Sequence, residues 1–253
     1  MKETAGFSTF TPLDIFQGLL LFLAVSIINF GGVIMGNERI SAKKVVLYGL
    51  FSALAYIAVF LFRIPVVSFL KYEPKDVVIT FAGLIYGPIA TILISVVVSF
   101  IEMVTISDTG PIGLLMNVLA TLAFALPVSM LYKKKRNINS AVFGLVIGIV
   151  SMTIVMILWN YIITPFYMKV SRQAVVEMLI PIFLPFNVLK GVINATLVFL
   201  LYKPLIEILR KSGFIPKTSE KFEKRGKVTI FNVVSIIILA ICITAWIIWR
   251  YYQ

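Results

Sequence analysis

Runs of about twenty apolar residues recur along this 253-residue chain, separated by short polar gaps. A bilayer core of roughly 30 Å is crossed by about 20 helical residues, and in lipid each spanning segment must satisfy its own backbone groups. The pattern therefore predicts a bundle of membrane-crossing helices. Composition agrees, since 60% of the residues are hydrophobic and 13% charged, a balance foreign to soluble domains. Hydropathy and punctuation place eight helices at about 13–35, 43–63, 76–87, 89–106, 111–132, 140–163, 182–205 and 228–249. The third is kept separate from the fourth because Pro88 lacks a donor and disfavours helix at Gly87. The expected fold class is an all-α membrane protein, multi-pass, with no soluble domain attached.

The net charge of +12 does not read as a nucleic-acid surface, because the cations lie between apolar runs rather than along one groove-facing stripe. They read as an orientation signal. Arg39, Lys43, Lys44, the run Lys133 to Arg136 and the cluster between Lys203 and Lys227 fall on one side, which is taken as cytoplasmic. Both termini then face outward, and residues 13–35 are read as a retained helix rather than a cleaved leader. The segment 212–227 is a polar linker to a last helix with almost no polar group for a bundle interior.

Several chemistries drop out. The chain has no histidine and one cysteine, Cys242, so imidazole bases, imidazole metal ligands and disulfides are not expected. No nucleophile with a base in reach is legible, and the chain is read as not an enzyme. No G-x4-G-K-[ST] phosphate loop occurs, so energy for any transport comes from a partner or a gradient.

What remains is a polar constellation at membrane depth. In LPFNVLKGVINATLVFLLYK, residues 184–203, the side chains of Asn187, Lys190 and Asn194 share one helical face. Lys190 is the one basic residue expected inside a span, where an ammonium is costly unless it meets a cavity or partner; snorkelling is the alternative. With Pro185 opening the helix, Lys190 falls in its second turn. Asn160, five residues before Pro165, either lines the same space or bonds a carbonyl of its own helix. Trp159, Tyr161 and Tyr167 nearby read as an interfacial belt, with stacking of one of them on a planar ligand as the alternative. The loop 65–76 carries Phe69, Leu70 and Tyr72, apolar groups suited to covering a cavity mouth. Asn117 is read as a helix-to-helix bond and Glu102 as solvated at a helix end. Gly49, Ala53 and Ala58 make the second segment suitable for close packing, within the chain or against another protein.

The segments AKKVVLYGLFSALAYIAV, FLKYEPKDV, FAGLIYGPIA, GLLMNVLATLAFALPVSMLYKKK, WNYIITP and LPFNVLKGVINATLVFLLYK, in this order, resemble the substrate-binding S components of energy-coupling factor (ECF) vitamin transporters. Within these they look most like the riboflavin-specific branch. The resemblance implies a six-helix core over residues 40–206; as departures from that family, hydropathy adds an extra helix in 1–39 and, after a basic cytoplasmic linker over 207–227, a second extra helix in 228–253. It implies riboflavin as transported ligand with no cofactor, and a bacterial plasma membrane location. Asn160, Asn187 and Lys190 would bond the flavin, with Asn117 beside them and Phe69, Leu70 and Tyr72 in a lid. Gly49, Ala53 and Ala58 would meet a transmembrane coupling subunit, which two ATPase subunits energise. Capture of a different vitamin, and a gradient-driven carrier acting alone, are the alternatives.

Overall fold

The computed structural model describes residues 41–67 and 70–211, together with the helical positions 237, 240, 241 and 244. The expected helices at 13–35 and 228–249, Phe69 and most of the expected linker 207–227 lie outside the described residues or touch them only at those four positions. Helix α1, Ala42–Phe62, is capped by Ser41, whose hydroxyl accepts from the Lys44 N–H. A hairpin follows, β1 Ile64–Val67 with β2 Leu70–Tyr72. Then come α2 Lys75–Tyr86, α3 Pro88–Thr105, α4 Gly110–Lys135 and α5 Ile138–Met168. Helix α6, Arg172–Met178, leads through a π-helical turn, Leu179–Phe183, into α7, Leu184–Lys211.

Among the described residues five helical stretches are long and apolar enough to cross a membrane, and α2 is too short to be one of them. The protein is thus an all-α, multi-pass membrane protein that carries one short hairpin besides its helices. The loop expected over 65–76 contains an antiparallel hairpin in which Ile64 faces Tyr72 and Val67 faces Leu70, with an irregularity between Pro65 and Val67. Proline is tolerated there because a two-stranded ribbon has only edge strands. Helix α7 also runs past residue 206, and its approach begins at Arg172 rather than near 182.

Local chemistry explains most boundaries. Gly87 closes α2 and precedes α3 with φ +89° and ψ −176°, a region that glycine alone enters freely, and Pro88 supplies the N-terminal residue of α3. Asn137 caps α5 by accepting from the Ser140 N–H at 2.8 Å. Pro181 lacks a donor, and the ladder beside it widens so that the Leu184 N–H reaches back to the Leu179 carbonyl.

Helix α2 is the centrepiece. Nine of its twelve residues are buried, and it packs against α1, α3, α4 and α7. A Cβ on Gly148 of α5 would stand 2.4 Å from the Phe124 carbonyl oxygen, and one on Gly144 2.8 Å from the Val128 Cα. The absent side chains let α4 and α5 touch backbone to backbone, a small-residue contact of the kind membrane helices use. A second apolar cluster joins Val66 and Leu70 of the hairpin to Val175, Phe183 and Phe186. It seats the hairpin on α6, the π-turn and the start of α7.

Candidate functional site

Beside that seated hairpin lies a cavity of about 380 Å³, within the roughly 300–1,000 Å³ usual for small-molecule sites. Four elements converge on it. Helix α4 contributes Met116, Asn117 and Ala120, and α5 contributes Trp159, Asn160 and Ile163; α7 contributes Phe186, Asn187 and Lys190, and the hairpin Leu70 and Lys71. The wall is mixed: aromatic and aliphatic surface interrupted by three carboxamides, the ammonium groups of Lys71 and Lys190, the Arg63 guanidinium and the carboxylates of Glu73 and Asp108.

Asn187 and Asn160 are nearly buried and share one local arrangement. The Asn187 amide donates to the Phe183 carbonyl at 2.7 Å, and the Asn160 amide donates to the Met156 carbonyl at 2.7 Å. The Thr164 hydroxyl donates to the Asn160 oxygen at 2.8 Å. Each side chain is therefore tethered to its own helix. A carboxamide carries two donors and an acceptor with two lone pairs, so both retain capacity for a ligand. The helix-bond alternative for Asn160 and its place on the cavity wall hold together. Asn117 donates to Glu102 Oε2 on α3 at 2.9 Å, the expected bond between helices, and it lines the cavity as well.

Lys190, 8% exposed, does not snorkel. Its ammonium stands 3.1 Å from Asp76 Oδ2. Asp76 belongs to the first turn of α2, where the helix dipole favours a carboxylate. It is fully buried. The Thr121 hydroxyl donates to its Oδ1 at 2.6 Å, and the Asn194 amide to its Oδ2 at 3.2 Å. The third polar residue of the α7 face thus turns away from the cavity, and its oxygen accepts from the Tyr72 hydroxyl at 2.9 Å. Tyr72 is likewise absent from the cavity lining; burial, helped by the Asp76 charge, raises its hydroxyl above the usual phenol range.

A second ionic group flanks the first. Lys75, 1% exposed, lies 2.5 Å from Glu102 Oε2 and 3.0 Å from Glu73 Oε2. Arg63 reaches Glu73 Oε1 at 3.0 Å and donates to the Ile106 carbonyl at 2.6 Å. Burial alone would raise the Glu73 carboxyl, but Lys75, Lys190 and Arg63 hold it at about 2. The expectation that Glu102 is solvated is overturned, because the chain brings Lys75 onto it from 27 positions away. At the mouth, Lys71 meets Asp108 at 2.9 Å, and the exposed Asp108 carboxyl is lowered by that hydrogen bond and charge.

Of the aromatic belt, Trp159 is corrected to a buried cavity wall residue and Tyr167 lines the same space. Tyr161 carries the Arg172 guanidinium 5.5 Å from its ring centroid. Gly49 and Ala53 are exposed on α1 and Ala58 is half-buried, with open space around a Cβ at Gly49. Sequence reasoning missed Asp76 and Lys75, and held Trp159 at the cavity only as an alternative to the belt. Pro74-Lys75-Asp76 did announce a helix start with a carboxylate in its first turn, the signal that was available for Asp76.

Residues 43–202 match the family described as ECF transporter, substrate-specific component. The chain is 30% identical to the riboflavin transporter FmnP of Bacillus subtilis over 184 residues, 67% of this chain and 97% of that protein. It is 29% identical to the riboflavin transporter RibU of Staphylococcus aureus over 177 residues, 67% of this chain and 93% of that one. A solved structure described as the S component of a bacterial ECF transporter superposes with TM-score 0.56 at 30% identity, covering 66% of this chain and 97% of that chain.

Proposed function

Because the chain belongs to the substrate-specific components of ECF transporters, we propose that its cavity captures riboflavin and presents it for import. The observation that carries this reading is the meeting of Asn117, Asn160, Asn187 and Lys190 on one largely apolar wall of a cavity of about 380 Å³. A flavin is a flat apolar ring system edged with carbonyls and carrying a polyhydroxyl chain. Trp159, Phe186 and Ile163 match the ring, and the carboxamides and ammonium match its polar edge. Leu70 stands over the ligand as part of the hairpin cover, and Phe69 and Tyr72 share that segment.

The remaining assignments extend this reading, the orientation of the termini resting on the distribution of Lys and Arg. The chain binds and does not catalyse. The face of α1 bearing Gly49, Ala53 and Ala58 meets a transmembrane coupling subunit, and two ATPase subunits supply the energy. The protein sits in a bacterial plasma membrane with both termini outside. The binding core, expected over 40–206, extends with α7 to Lys211, a cytoplasmic basic linker continues to 227, and 1–39 and 228–253 each add a helix.

Titrating the purified full chain into riboflavin tests the ligand. Saturable quenching of flavin fluorescence is expected, with yellow protein where the ligand co-purifies. Absence of quenching alongside saturable binding of a different vitamin overturns the assignment.

A further inference from the structure

Asp76 does not line the cavity, yet it is ion-paired with Lys190, a residue that does. Its Oδ2 lies 3.1 Å from the Lys190 ammonium, and the carboxylate, fully buried, accepts from Thr121 at Oδ1 and from Asn194 at Oδ2. The carboxylate is gripped from two helices, Thr121 on α4 and Asn194 on α7, while it rides on α2. Lysine, by contrast, ends a flexible four-carbon stem with three rotatable donors. An ammonium in a nearly closed site without a counter-charge pays desolvation and is free to swing.

We propose that Asp76 is a positioning residue for ligand capture, holding the Lys190 ammonium at one fixed place on the cavity wall, with Thr121 and Asn194 fixing the carboxylate in turn. One of the three ammonium protons goes to Asp76, and the others point to what fills the cavity. The Tyr72 hydroxyl on the Asn194 oxygen joins the hairpin to this clamp, so a seated cover and an aimed ammonium belong to one arrangement. The inference rests on the reading of the cavity as a flavin site.

The test is a double-mutant cycle on the purified full chain with riboflavin as probe. Asp76→Asn keeps the shape of the side chain and removes its charge. In the Lys190 background it is expected to weaken riboflavin binding about tenfold or more; in a Lys190→Met background, less than about twofold. Equal losses in the two backgrounds, or no loss in the first, overturn the inference, since a general packing role does not depend on which side chain occupies position 190. Should Asp76→Asn yield no folded protein, Thr121→Val carries the same cycle. It removes one bond to the carboxylate and leaves the ion pair, with about a threefold loss expected in the Lys190 background and none in Lys190→Met. Failure of the unmutated protein to quench riboflavin fluorescence is a separate result that removes the flavin reading and the inference together.

Discussion

Arg63, Lys75 and Lys190 face Glu73, Asp76 and Glu102 around the cavity, cation matched to carboxylate. Matching is a physical necessity at this burial, because removing one member strands the other charge at a cost of about 3–5 kcal/mol. Glu73 makes the point testable. Its carboxyl is held at about 2 against an ordinary 4.5. A depressed folded value stabilises above the ordinary one, and that stabilisation is lost as pH falls through the interval between them. At neutral pH, Glu73→Gln is expected to lower stability by on the order of 3 kcal/mol. The gap in Tm between the two proteins should close as pH falls from about 4.5 toward 2. A gap that stays constant across that interval would show that Glu73 acts by shape and not by charge.

Between elements the decisive contacts are made by residues without side chains. Gly148→Ala places a methyl 2.4 Å from the Phe124 carbonyl oxygen, and backbone cannot swing aside as a long side chain does. Helices α4 and α5 must separate, which is expected to cost about 1–3 kcal/mol. Gly49→Ala, where nothing lies within 4 Å, is the matching control and should leave Tm unchanged. Thermal unfolding in lipid nanodiscs decides between them; equal behaviour of the two variants would contradict the α4–α5 contact. The hairpin illustrates the converse case, an element defined by what it rests on. Three residues of β2 do not make an independent ribbon, and its order comes from Leu70 and Val66 on the Phe183 and Phe186 cluster, with Arg63 and Lys71 tying its two ends to the loop between α3 and α4.

Considered whole, the molecule separates its faces by task. The cavity gathers on α4, α5, α7 and the hairpin, whereas α1 contributes none of its own residues to the lining. Its outer side instead exposes Val46, Leu50, Leu54, Ile57 and Leu61 around Gly49 and Ala53. The proposed docking of a coupling subunit on this face would leave capture and energising separable. Ala53→Trp is therefore expected to keep riboflavin affinity within about twofold, on the order of the change a distant surface substitution makes. In cells, uptake should fall severalfold, as it should when the ATPase subunits are deleted. Unchanged uptake in both experiments would point to transport by the chain alone, on a gradient.

The membrane class, the spacing of the spans, the Gly87-Pro88 break and the candidacy of Asn160, Asn187 and Lys190 were all written in local pattern. Each depends on periodicity, on hydropathy over one segment, or on the backbone restrictions of glycine and proline, and these act within a few residues. The ionic layer was not written there. Asp76 meets Asn194 from 118 positions away and Lys75 meets Glu102 from 27, and no local property of EPKDVV distinguishes a solvated loop end from the centre of a bundle. Only packing α2 among α1, α3, α4 and α7 excluded water from those charges, and once water is excluded each must find its opposite. Tertiary structure thus decided which polar side chains line the cavity and which pair with one another behind it.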